Sequence, residues 1–270
     1  MALKNLMVHL DQGARTAVRL ELAVALARRH QARLVGVFAQ CAAALQVGVV
    51  ASWPTPEYAA AAAASQSQFA QAASGLADTE WHDVNRGSEG EILRHMTNLS
   101  RHTDLLLLGQ HEEGGEVYAP GEMAEELVEN SGRPVLIVPY AGSFAHIGKH
   151  PLIAWSDARE AARALNDALP LIDACDEAFI LSFAEQRDEA EASCAQATRH
   201  LACHGIKART EILPADGIGL MDMLLNRVAD RDADLLVMGG HGHPGLAKLG
   251  RGAGTRHIFR HMTVPVLMSS

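Results

Sequence analysis

From Asp234 to Ser270 the chain reads DLLVMGGHGHPGLAKLGRGAGTRHIFRHMTVPVLMSS, and these residue types suit one chemistry, the binding of an anion. An apolar run, Leu235–Met238, ends in a glycine-rich, base-rich loop that opens a helix, and a second apolar run follows Pro265. The first N–H groups of a helix have no acceptor within it, and the helix dipole adds to their attraction for negative charge. Gly239, Gly242 and Gly252 let a ligand approach the main chain closely. Charge points the same way, because Gly239–Met262 contains Lys248, Arg251, Arg256 and Arg260 and no Asp or Glu. A phosphate cradle is the leading reading.

Other chemistries find less support. His257 and His261 share a helix face, His241 and His243 precede them, and His200, Cys203 and His204 cluster elsewhere, yet no spacing matches a zinc framework, so no metal site is expected. There is no nucleophile elbow, no HExxH, no GKS or GKT after the loop glycines and no identifiable base for activating water; no catalytic residue is expected. The four cysteines form no CxxC pair and read as reduced thiols of a cytoplasmic protein.

The loop must be positioned by a larger frame, and the frame is written twice. DLLLLG at Asp104–Gly109 recurs as DLLVMG at Asp234–Gly239, and RPVLIVP at Arg133–Pro139 recurs as VPVLMSS at Val264–Ser270. LMVHLD at Leu6–Asp11 corresponds to PLIAWSD at Pro151–Asp157, each followed by a helix-length amphipathic segment. The first half carries extra residues in Cys41–Glu57, where Trp53, Pro54 and Pro56 interrupt the periodicity. The alanine run Ala59–Ala64 is helix rather than low complexity. In the second half, strands are expected at Leu152–Trp155, Ala178–Phe183, Lys207–Leu213, Leu235–Met238 and Val266–Met268, and Ile218, Met221, Leu225 and Val228 form a helical stripe.

Short apolar runs alternating with helices predict an α/β fold of two tandem, doubly wound, parallel five-stranded sheets flanked by helices, with domains 1–146 and 147–270. The 270-residue length suits two domains, and 4% aromatic residues suit helices packed on parallel sheets. A net charge of −9 disfavours nucleic acid as a partner. With no signal peptide and no membrane-length apolar stretch, a cytoplasmic protein with no membrane contact is expected.

The spacing Gly239-x2-Gly242-x9-Gly252, followed by Pro265-Val266-Leu267, together with the doubled final strand and the Asp11 strand end, resembles the universal stress protein family in its tandem bacterial form. The resemblance implies a Rossmann-like fold of the adenine nucleotide alpha hydrolase type and a stress-response binding protein, not an enzyme beyond weak ATP hydrolysis. It implies ATP or a related adenine nucleotide, with Mg²⁺, in the C-terminal domain only. Gly239, Gly242 and Gly252 match the family's glycines by position; the expected site also takes in His241 as a phosphate donor, Ala253 and Gly254 at the helix start, Thr255 as a hydroxyl, and Ser156 and Asp157 on the adenine side. Two departures stand out: Ala253 takes the place of a hydroxyl residue, and Ser156 that of the aspartate.

The first half departs further. Gln110, His111 and Glu112 follow Gly109, and Gly109–Gly132 holds seven glutamates with no Lys or Arg. A like-charge pair at about 10 Å in water costs ~0.4 kcal/mol, so a triphosphate facing several glutamates loses a few kcal/mol before screening. This half is expected to reject ATP. The alternative is a nucleotide-free scaffold of the same fold acting through an unidentified protein partner. In the family, final strands pair, which here would set Pro134–Val138 beside Val266–Met268 within one chain; a monomer and a homodimer are both compatible with that.

Overall fold

The computed structural model describes residues 2–41, 45–47, 50–52, 54–84, 88–111, 118–215, 219–240 and 253–270. By contact density the chain forms two compact units, Ala2–Arg133 and Pro134–Ser270. The boundary expected between residues 146 and 147 follows the repeat. The compact units divide one strand earlier, because the last strand of the first half pairs with the last strand of the second.

The unit Ala2–Arg133 contains β1 (Asn5–Leu10), α1 (Thr16–His30), β2 (Arg33–Phe38), β3 (Leu45–Val47), β4 (Val50–Ser52), α2 (Pro56–Ala72), β5 (Thr79–Asp83), α3 (Glu89–Ser100), β6 (Leu105–Gly109) and α4 (Met123–Asn130). Its sheet runs β6-β1-β2-β5, all parallel, while β3 and β4 form a small antiparallel hairpin within the extra residues of the first half. The alanine run lies inside α2, whose start is capped by Thr55 accepting the Tyr58 N–H at 3.2 Å.

The unit Pro134–Ser270 contains β7 (Val135–Val138), β8 (Pro151–Trp155), α5 (Arg159–Ile172), β9 (Ala178–Ala184), α6 (Arg187–Cys203), β10 (Ala208–Pro214), α7 (Leu220–Asp230), β11 (Leu235–Gly239), α8 (Ala253–His261) and β12 (Val266–Ser269). The order β10-β9-β8-β11-β12 is parallel throughout and reverses direction at β8. Beside β12 lies β7, antiparallel, with Val266 opposite Ile137 and Met268 opposite Val135. The expected pairing of segment 134–138 with 266–268 is therefore present, and β7 covers an edge of β12 that would otherwise leave its backbone groups unpaired. All four residues of β7 are buried. The α7 stripe is Leu220, Met221, Leu224 and Val228; Leu225 is only half-buried, and Ile218 lies outside the described residues.

The recurring Asp of DLL has a structural task in both halves. Asp104 accepts the N–H groups of Lys4 and Asn5 at 2.6 and 2.9 Å, and Asp234 accepts those of Lys149 and His150 at 2.8 and 3.0 Å. Each aspartate thus ties the foot of the fourth strand to the foot of the first, satisfying N–H groups that the ladder leaves over at its amino edge. Among the described residues no helix is long and apolar enough to cross a membrane.

Candidate functional site

In a doubly wound sheet the ligand crevice lies at the carboxyl ends of the strands where their order reverses. Here those strands are β8 and β11, ending at Trp155 and Gly239. Ser156 is half-buried and Asp157 exposed just beyond β8. Ala253, Gly254 and Thr255 form the first turn of α8, so their N–H groups have no acceptor within the helix. Thr255 is 3% exposed and Gly254 is buried. The Ile258 and Phe259 side chains bury α8, and His257 Nε2 meets Asp222 Oδ1 at 2.8 Å, fastening α8 to α7. His241, Gly242 and Gly252 lie outside the described residues.

Two backbone positions at the strand end serve the fold. A Cβ on Gly239 would lie 2.7 Å from Ala161 N and 2.8 Å from Glu160 Cβ, so the end of β11 passes directly against the first turn of α5. The Gly240 N–H donates to Ser269 O at 2.8 Å and extends the ladder with β12. Gly239→Ala should accordingly cost about 1–3 kcal/mol of stability by pushing α5 off the strand. A urea midpoint equal to that of the parent would show that α5 yields freely.

The first unit has a different construction at the same edge, one that sequence patterns did not single out. Asp11, 13% exposed, accepts the Gly13 N–H at 2.9 Å and the Thr16 hydroxyl, and its Oδ2 lies 3.2 Å from Nη2 of Arg19, itself 3% exposed. Arg19 Nε donates to His9 O at 2.7 Å. His9 Nε2 donates to Ala39 O at 2.8 Å while Nδ1 stands 3.6 Å from Asp11 Oδ2. The signal was available in α1, where Thr16, Arg19 and Ala23 share the buried face. An arginine on an apolar face needs an acid, and Asp11 ends the preceding strand.

The electrostatics follow. Burial pushes Asp11 up, but the Arg19 guanidinium, His9, the Thr16 hydroxyl and the Gly13 N–H outweigh it and hold the carboxyl at about 2. Burial lowers His9, helped by Arg19 and opposed by Asp11 and the bond to Ala39. A depressed carboxyl contributes stability above its unfolded value of 3.8 that is lost as pH falls through 3.8 toward about 2, worth about 2 kcal/mol. A depressed imidazole acts in the same direction: neutral in the fold, it loses its contribution as pH falls below 6.5, where the unfolded histidine takes a proton. Stability should therefore decline toward acid, and Asp11→Asn should flatten the limb below 3.8. Parallel limbs in urea titrations of the two proteins would refute this.

Four thiols are unpaired: Cys41, Cys175, Cys194 and Cys203. Burial raises Cys41, Cys175 and Cys194, which leaves them poor nucleophiles. Among the described residues no group of three or more His, Cys, Asp or Glu is placed to hold a metal ion.

Comparison with known proteins bears on this arrangement. Residues 154–270 match the model of the Universal stress protein family. The second half is a universal stress protein domain. Across nearly the whole chain the fold is similar to that of a universal stress protein from Archaeoglobus fulgidus DSM 4304, at 15% identity over 98% of each chain and a TM-score of 0.72. It is also similar to a functionally unknown protein from Pseudomonas aeruginosa PAO1, at 15% identity over 99% of this chain and 92% of that one, with a TM-score of 0.64. At such identities the likeness speaks for the fold alone. No curated protein sequence matches the chain.

Proposed function

We propose that this chain as a whole is a universal stress protein, a stress-response binding protein that holds ATP or a related adenine nucleotide in its second half only. The observation that carries the reading is the passage from β11 into α8 at the point of strand reversal, where the first turn, Ala253–Thr255, bears no side chain larger than threonine. Small residues and helix N–H groups at such a point suit a polyphosphate. Lys248, Arg251, Arg256 and Arg260 in the same window add positive charge, and Ser156 and Asp157 end the neighbouring strand on the side proposed for adenine. Mg²⁺ would ride on the phosphates, since Gly239–Met262 supplies no carboxylate. Binding would alter a surface read by a protein partner; the proposal contains no catalytic step. Cytoplasmic location is part of it, and the unpaired thiols support that.

A nucleotide-free scaffold is the second reading, favoured by three observations: Gly239 is required by α5, the Gly240 N–H is committed to Ser269, and Thr255 is buried. Calorimetric titration separates the two. ATP with Mg²⁺ should give saturable heat with about one site per chain, lost in Gly252→Glu. Silence at millimolar ATP would remove the nucleotide reading in favour of the scaffold.

A further inference from the structure

The carboxyl edge of β1 and β6 holds a charged group supplied by the chain itself. Arg19 reaches it from α1 and is fixed by three acceptors, His9 O at 2.7 Å, Asp11 Oδ2 at 3.2 Å and Thr16 Oγ1 at 3.1 Å. Its Nη1 occupies the space that a side chain on Gly109 would need. At the same strand end, the Tyr118 ring stands 3.7 Å from the position of a Cβ on Gly13, and Tyr118 O accepts the Cys41 N–H at 2.5 Å. Arg19 is 3% exposed, so the guanidinium is closed off from solvent.

The repeat lacks every charged member of this group. Val8 pairs with Leu107, and Ile153 with Val237, so the two halves superpose in register through these strands. His9, Asp11, Thr16 and Arg19 then correspond to Ala154, Ser156, Ala161 and Ala164. A guanidinium, a carboxylate, an imidazole and a hydroxyl give way to three alanines and a serine. Such a replacement is coherent only if the four act as one assembly, because an unpaired buried Asp or Arg costs far more than the pair or its absence.

We propose that Arg19 is a built-in cationic occupant of the first unit's crevice, which completes that unit without any ligand and leaves nucleotide binding to the second unit. The clause on the second unit rests on the nucleotide reading above; the clause on Arg19 does not. Repulsion by the glutamates of Gly109–Gly132 is then secondary to simple occupancy.

The test removes the occupant and offers it back. Arg19→Ala leaves a hole lined by Asp11, the Thr16 hydroxyl and His9 O, a fork-shaped acceptor set suited to a guanidinium ion. Tm should fall on the order of 10 °C. Guanidinium or methylguanidinium chloride at tens of millimolar should restore part of it, by linkage to a site present only in the folded state, where tetramethylammonium chloride does not. Arg19→Ala/Asp11→Ser, which copies Ala164 and Ser156, should be more stable than Arg19→Ala and indifferent to guanidinium. If the single variant does not fold, the double variant still should.

An unchanged Tm in Arg19→Ala, equal responses to both salts, or a double variant no more stable than the single one would each overturn the proposal. None of these readouts involves nucleotide, so a failure to bind ATP would sink the functional reading and leave this one standing.

Discussion

Asp11→Ala should lower the free energy of unfolding by about 3–5 kcal/mol, seen as a fall in urea midpoint at unchanged slope. The loss is far larger than one ion pair on a surface could supply, where ~0.2–1 kcal/mol is usual. The difference arises from what is left behind. Arg19 is 3% exposed, and without Asp11 its guanidinium would stay buried with only carbonyl and hydroxyl acceptors, too few to offset its lost hydration. Asp157, beside the corresponding strand end of the second half, is exposed, so Asp157→Ala should stay within about 0.5 kcal/mol of the parent. If the two alanine variants unfolded at the same urea concentration, the assembly around Arg19 would have no energetic standing.

Among the described glycines of the second unit, Gly148→Ala should be the most damaging replacement, at about 3 kcal/mol. Two costs combine there. The residue has φ +83°, a left-handed conformation that an L side chain adopts only with strain, and an added Cβ would overlap Leu171 O near the end of α5. That acceptor belongs to the backbone of a packed helix, so it cannot rotate away as a side chain could. Gly132→Ala isolates the first cost, because Gly132 has φ +68° with open space around it, and about 1 kcal/mol is expected. The two variants compared by urea unfolding should therefore differ by about 2 kcal/mol. Equal losses would show that α5 moves aside at little cost.

The repeat made most of the frame legible. DLLLLG against DLLVMG, and RPVLIVP against VPVLMSS, marked the fourth and fifth strands of each half, because buried parallel strands must be continuously apolar and so stand out from the amphipathic helices between them. The extra residues of the first half were placed correctly in Cys41–Glu57, where β3 and β4 now lie, since prolines had to interrupt the helical period. The pairing of β7 with β12 is the one that the family resemblance implied for the two final strands.

The site was less legible, and Gly239, Gly240 and Arg19 show why. Glycine in a sequence says that a side chain is unwelcome, not what excludes it. At Gly239 the excluding atoms belong to Glu160 and Ala161, far away in sequence. For Gly240 the acceptor is Ser269, which only sheet formation brings near. Arg19 is one of several charges along α1, and only its burial makes it half of a required pair with Asp11.

By itself, then, the sequence determined the order and kind of the elements, their doubling and the edge at which a ligand would meet them, because these depend on hydrophobic period and chain direction. Only the tertiary structure decided which glycines serve packing, which N–H groups are already used and which charge fills the first unit. Those outcomes depend on distances between residues remote along the chain, and no local pattern carries such distances.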